Sequence, residues 1–124
     1  MPIENRVNIS SGSPREPFLG YSRAVRVGNL IFIAGTTSGG VGNTAADQAR
    51  EIFARIRTAL NQAGADYENV VRTRVYLTDI ADFDAVGAVH GEIFGDIRPV
   101  TAVVQVSALA APELTVEIEA DAVL

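Results

Sequence analysis

Hydrophobic and polar positions alternate most strictly at the C-terminal end of the chain. Val116, Ile118, Ala120 and Ala122 fall on one side of the run; Glu117, Glu119 and Asp121 fall on the other. That is the period of a strand. Three acids in a row on one face repel each other and are poor strand formers. A sheet keeps such a row where the face is wet, or where cations or a ligand stand opposite, so the search for function starts there. A second alternating run, residues 70–78, sets Val71, Thr73, Val75 and Leu77 against Arg72, Arg74 and Tyr76. Residues 24–27 and 30–34 flank Gly28-Asn29, a pair that supplies the positive-φ positions of a two-residue hairpin turn. Residues 100–106 form a further strand, entered through Pro99, which restricts Arg98 to an extended conformation. Ala110-Ala111-Pro112 makes the last turn before the final strand.

Two segments change period from two to about 3.6. The first starts at Thr44, an N-cap with Asp47 near the positive end of the helix dipole, and runs to about Ala63 before Gly64. Ile52, Phe53, Ile56 and Leu60 form its apolar stripe, with Arg50, Arg55, Arg57 and Gln62 off it. The second covers residues 83–94, capped by Asp79 or Asp82 and ended by Gly95; its buried positions are Phe83, Val86, Val89, His90 and Ile93. Residues 1–18 read as loop from Ser10-Ser11-Gly12-Ser13-Pro14 and Pro17, with Val7 and Ile9 as an optional short edge strand. The order β-β-α-β-α-β-β predicts a mixed sheet with two helices on one face, an α+β fold in a single domain, residues 1–124. The other face carries Arg72, Arg74, Glu117, Glu119 and Asp121 together with Val and Ala positions, a mixture best covered by further copies of the chain.

Composition narrows the chemistry. No cysteine is present, so disulfides and thiolate sites are excluded. The single histidine, His90, rules out a multi-histidine metal site within one chain, and no metal is expected. The ten cations, all arginine, stand against fifteen acids, net charge −5, with no basic run. That argues against nucleic acid as a partner. No apolar run is long enough to span a bilayer, and no charged leader precedes a signal-like core, so the expectation is a soluble cytoplasmic chain without a membrane partner. The Gly-rich loop 35–43 precedes a helix, but no lysine follows and the dinucleotide spacing is absent; it reads as a cover over a cleft, not a phosphate cradle.

Several stretches together carry a family resemblance. They are Gly20-Tyr21-Ser22-Arg23-Ala24-Val25, Gly28-Asn29 with Ile31-Phe32-Ile33-Ala34-Gly35, the run from Val70 to Asp79, Phe94-Gly95, Arg98-Pro99, and Val116-Glu117-Ile118-Glu119-Ala120. The chain resembles the RidA/YjgF group, the reactive-intermediate deaminases also called endoribonuclease L-PSP or translation-inhibitor proteins. The resemblance implies a chorismate-mutase-like fold and a homotrimer. In that family three sheets form a central barrel, with a small-molecule cleft at each subunit interface and no cofactor. It also implies hydrolysis of enamines and imines. The family's water-holding glutamate matches Glu117 and its cleft tyrosine matches Tyr21. Its carboxylate-binding arginine, two residues after the proline, matches Thr101, which cannot give a bidentate, charge-assisted grip. A frequent serine matches Ala34, and a cleft asparagine matches Gly87, with His90 one helical turn beyond.

Glu117 either orients a water or pairs with Arg72 or Arg74 across the sheet. Glu119 and Asp121 are assigned to ion pairing or solvation. Arg98 and Arg23 are the cations available to stand in for the missing anchor, against ordinary salt bridging. His90 is a proton-transfer group or a helix-face histidine bonded to a carbonyl. Tyr21 and Gly35 complete the ligand-contacting set. Three functions compete: a deaminase or hydrolase acting on a compound other than the usual 2-iminocarboxylate, a non-catalytic ligand-binding trimer, and, ranked last, a ribonuclease.

Overall fold

The computed structural model describes Ile3 and residues 5–124. Six strands form one sheet: β1 (Arg6–Ile9), β2 (Ala24–Val27), β3 (Leu30–Thr36), β4 (Val70–Leu77), β5 (Val100–Gln105) and β6 (Val116–Val123). Their spatial order is β1-β2-β3-β6-β4-β5. All neighbours are antiparallel except β4 and β5, whose parallel pairing needs a crossover. That crossover contains α3 (Phe83–Phe94). The longer α2 (Ala45–Gln62) joins β3 to β4, packing on β3, β6 and α3. The mixed α+β sheet with two long helices is the architecture the patterning predicts.

The core lies between these helices and one sheet face. Ile52, Phe53, Ile56 and Leu60 of α2 are buried against Ile31, Ile33, Val75, Leu77, Val116, Ile118, Ala120 and Ala122. The alternation of β6 is therefore realised residue by residue. Thr44 caps α2 as expected, accepting the Asp47 N–H at 3.1 Å. On the opposite face Phe32 is 47% exposed and Val104 44%.

Five local expectations are corrected. A third helix, α1 (Arg15–Leu19), interrupts the predicted N-terminal loop. Its Glu16 is buried and accepts from the Ser11 N–H and hydroxyl. The Ser11 hydroxyl chiefly, with Ser10 and two backbone donors, holds its pKa below the usual carboxylate range. Val71 is exposed rather than buried, because the β4–β6 register slips between Val70 and Arg72 and takes it off the core face. Phe83 is also exposed, at the first position of α3, ahead of the turns that bury Val86 and Val89. In the β2–β3 turn only Gly28 has positive φ, at 57°, so Asn29 plays no left-handed role. Arg98 is not extended: its φ is 57°, and its N–H reaches back to the Phe94 carbonyl at 2.8 Å. The chain must reverse from α3 into β5 there, and that demand overrides the preference imposed by Pro99.

Gly91 offers a direct stability test. It lies inside α3, and a methyl group there would meet nothing within 4 Å. Gly91→Ala should raise stability by about 1 kcal/mol, the helix-interior difference between the two residues. Urea denaturation followed by circular dichroism measures it; an unchanged midpoint would mean another copy covers that helix face.

Candidate active site

The three acids of β6 are not equivalent. Arg74 lies within 3.4 Å of Glu119 and 3.5 Å of Asp121, and Arg72 within 3.9 Å of Asp121. The Tyr76 hydroxyl donates to Glu119 at 2.7 Å, which raises the tyrosine's own pKa. Both β4 arginines are thus committed to Glu119 and Asp121. Glu117 makes no ion pair or hydrogen bond among the described residues. The cross-strand pairing weighed for Glu117 goes to its neighbours instead. Burial, then the charge of Glu119, pushes the Glu117 pKa up, and Arg23 partly offsets this. A half-buried carboxylate with no bound partner and a raised pKa is suited to accept a proton from water.

Glu117 opens into a cleft of about 980 Å³ whose walls also include Tyr21, Arg23, Gly35 and Thr36. A bulge in β3 shapes it: the register jumps from Ile33 opposite Ala120 to Thr36 opposite Ile118. The extra residue brings the Gly35 backbone against Glu117, so close that a Cβ on residue 35 would lie 2.6 Å from the carboxylate Oε2. Arg23 is locked. Its Nη1 donates to the Gly35 carbonyl and the Thr36 hydroxyl, both at 2.8 Å, and its Nη2 donates to the Tyr21 hydroxyl at 3.0 Å. The guanidinium also lies over the Tyr21 ring, 5.4 Å from its centroid. Four residues singled out from sequence, Tyr21, Arg23, Gly35 and Glu117, therefore meet in one cleft.

The other four do not join them. Gly87 is exposed on α3, with open space where a side chain would be. Arg98 folds its Nε onto the Gly95 carbonyl at 3.0 Å and lies outside the cleft. His90 and Thr101 meet at the β5 edge of the sheet, through a residue that sequence reasoning took as ordinary core. The Thr73 hydroxyl is 2.8 Å from His90 Nε2 and 2.7 Å from the Thr101 hydroxyl. The missed signal was chemical: Thr73 is a polar side chain in an otherwise apolar row, and a fully buried hydroxyl needs a partner. The sequence also missed Ser10, Ser11, Ser13, Arg15 and Arg55 on the cleft rim. These rim residues come from the segment read as loop and from the solvent side of α2, where no periodic pattern marks them.

Comparison with known proteins places this fold in a family. The family model described as Endoribonuclease L-PSP matches residues 13–124. The crystal structure of Rv2704 from Mycobacterium tuberculosis, described as a member of the YjgF/YER057c/UK114 family, superimposes with a TM-score of 0.93 at 55% identity. That match covers 97% of this chain and 100% of the other. The Streptomyces coelicolor protein SCO2049 is 36% identical over 120 residues, 92% of this chain and 89% of its own. The human 2-iminobutanoate/2-iminopropanoate deaminase is 36% identical over 113 residues, 83% of this chain and 79% of its own.

Proposed function

This chain belongs to the endoribonuclease L-PSP family, the RidA/YjgF group, and from that membership we propose that it is a homotrimeric hydrolase of small enamines or imines. The observation that carries the proposal is Glu117: half-buried, in an open cleft, and without a salt bridge among the described residues, while Arg72 and Arg74 pair with its neighbours and Arg23 acts on it only at longer range. In the reaction, a water oxygen adds to the C=N carbon as Glu117 takes one of its protons and the nitrogen gains one. The carbinolamine then expels ammonia and leaves the carbonyl product. Water in and ammonia out balance the step. The human relative, a 2-iminobutanoate/2-iminopropanoate deaminase, favours this class.

The two groups of residues on one chain support the trimer. Glu117, Tyr21, Arg23 and Gly35 line one cleft, while His90 and Thr101 meet through Thr73 at the β5 edge and Gly87 lies exposed on α3, one turn before His90. A neighbouring copy that brings its β5 edge over this cleft completes a site from both sets and buries exposed positions such as Phe32 and Val104. The substrate class follows from Thr101. A neutral hydroxyl there selects an imine without a carboxylate at that end, since Arg23 has three of its donors engaged within its own subunit.

The test is ammonia release from freshly generated imines, assayed with and without an α-carboxylate, alongside light scattering. The expected result is faster turnover of the uncharged imines by a particle of about 39 kDa, three times the 13.1 kDa chain. No acceleration of either class at micromolar protein would remove the enzymatic reading and leave a ligand-binding trimer. A 13 kDa particle would remove the shared cleft.

A further inference from the structure

The Thr73 hydroxyl is fully buried and has two partners but only one proton. If Thr73 donates to Thr101, it must accept from the His90 Nε2–H, and the Thr101 proton is free to point outward. If Thr101 donates to Thr73, then Thr73 donates to a bare Nε2. The two arrangements are proton-shifted images of each other on the same heavy atoms. Such a chain, imidazole to buried hydroxyl to exposed hydroxyl, is a conduit from a half-buried ring through the core-facing Thr73 to the surface.

We propose that Thr101, Thr73 and His90 form a proton relay, in which Thr101 meets the ligand and His90 stores the proton it delivers or removes. This rests on the reading above only for the identity of the ligand; the relay itself is a property of one chain. When a ligand N–H gives its proton to the Thr101 oxygen, the Thr101 proton moves to Thr73 and the Thr73 proton moves to Nε2. Both hydroxyls end neutral and the ring ends as imidazolium; delivery to a ligand runs the same shifts in reverse. Thr101 is the contact residue, and Thr73 and His90 are positioning residues acting through it.

The surroundings suit the role. The ring packs edge-on against Phe53 of α2, with centroids 5.9 Å apart, and tilted at 45° against Phe94 of its own helix, at 4.7 Å. Thr73 of β4 is its polar contact, and through it Thr101 of β5. None of these groups is charged, and burial alone lowers the ring's pKa, so the ring rests neutral and a proton taken up through Thr73 is readily given back. The Thr73–Thr101 contact is set by the sheet, since the two residues are direct partners in the parallel β4–β5 ladder. Thr101 lies on the outermost strand and is exposed.

His90 is the chain's single histidine, so selective ¹⁵N labelling of full-length protein reports one ring. The experiment measures solvent exchange of the Nε2 proton, which the ring carries in the arrangement where Thr73 donates to Thr101. Thr101→Val and Thr73→Val should each slow exchange about tenfold, because the ring must then break free to reach water. Thr73→Ser should restore it. Thr101 is exposed, so its variant keeps the fold even if the buried Thr73→Val does not. Unchanged exchange in folded Thr101→Val overturns the relay.

Imine turnover separates this inference from the proposed function. Slowed exchange in a protein inactive on every imine leaves the relay standing and removes the hydrolase. Glu117-dependent turnover with unchanged exchange does the opposite. Where both hold, Thr73→Val should lower kcat about 100-fold, with KM little changed, and Thr73→Ser should recover most of it.

Discussion

Replacing Glu117 with glutamine should reduce imine turnover by about 10²–10⁴-fold, the contribution of a positioned general base, while raising stability at neutral pH. The two effects share one cause. Burial and the nearby Glu119 raise the carboxyl's pKa, and Arg23 only partly compensates. A group whose pKa is raised on folding binds its proton more tightly in the folded state. Its favourable contribution is complete below the unfolded pKa, near 4.5, and is lost as pH rises through the folded value. At neutral pH the ionised carboxylate therefore works against the fold, and the isosteric amide removes that penalty along with the base. The acid limb of kcat/KM should accordingly lie above 4.5 and disappear in Glu117→Gln. Thermal melts and a pH–rate profile on the same preparations check both halves. A variant that keeps half the wild-type rate would take Glu117 out of the proton transfer.

This arrangement explains the row of acids on β6. Two of them are offset by arginines on β4, whose alternation places Arg72 and Arg74 on the same face. The third lies beyond the reach of that pairing, at the end where the β3 bulge opens the cleft. Structural ion pairing and candidate chemistry thus coexist on a single strand, separated by two residues.

Much of the frame was legible because burial follows simple periods. The α2 stripe and the four apolar positions of β6 follow from spacing alone, and all eight are buried. The departures occur where backbone geometry breaks the period. At Val71 a register slip inverts the expected face, and nothing local in Val70-Val71-Arg72 marks it. At Arg98 the demand for chain reversal comes from where β5 must lie, which is a tertiary fact. α1 is five residues long and held by the buried Glu16, too short for an apolar stripe to announce. The cleft was legible in a different way. Tyr21, Gly35 and Glu117 were brought together by resemblance, whereas the structure adds why Arg23 stays there: its donors tie Tyr21 to the bulge. Thr73 was hidden by its own strand, since alternation assigns a side to a residue but not a hydrogen-bond partner.

Gly35→Ala should cost little stability and about 100-fold in turnover, because a shift of about 1 Å at a reacting group has that effect. Gly35 is absent from the positive-φ glycines, so alanine suits its backbone. The difficulty is the added methyl, which would sit 2.6 Å from Glu117 Oε2 and 3.2 Å from its Cδ. Only the end of a flexible side chain is in the way. The carboxylate can rotate aside for about 1 kcal/mol of rotamer strain, and the sheet need not move. The proton acceptor, however, would no longer point where the bulge now directs it. Gly91→Ala is the matched control: it also adds one methyl, but in open space on α3, and it should leave the rate unchanged. Comparing kcat and melting temperature across wild type and the two alanine variants separates placement of the carboxylate from general loosening of the fold. Full activity in Gly35→Ala would mean that the reaction tolerates a displaced Glu117. The glycine in the β3 bulge would then be serving the strand pairing alone.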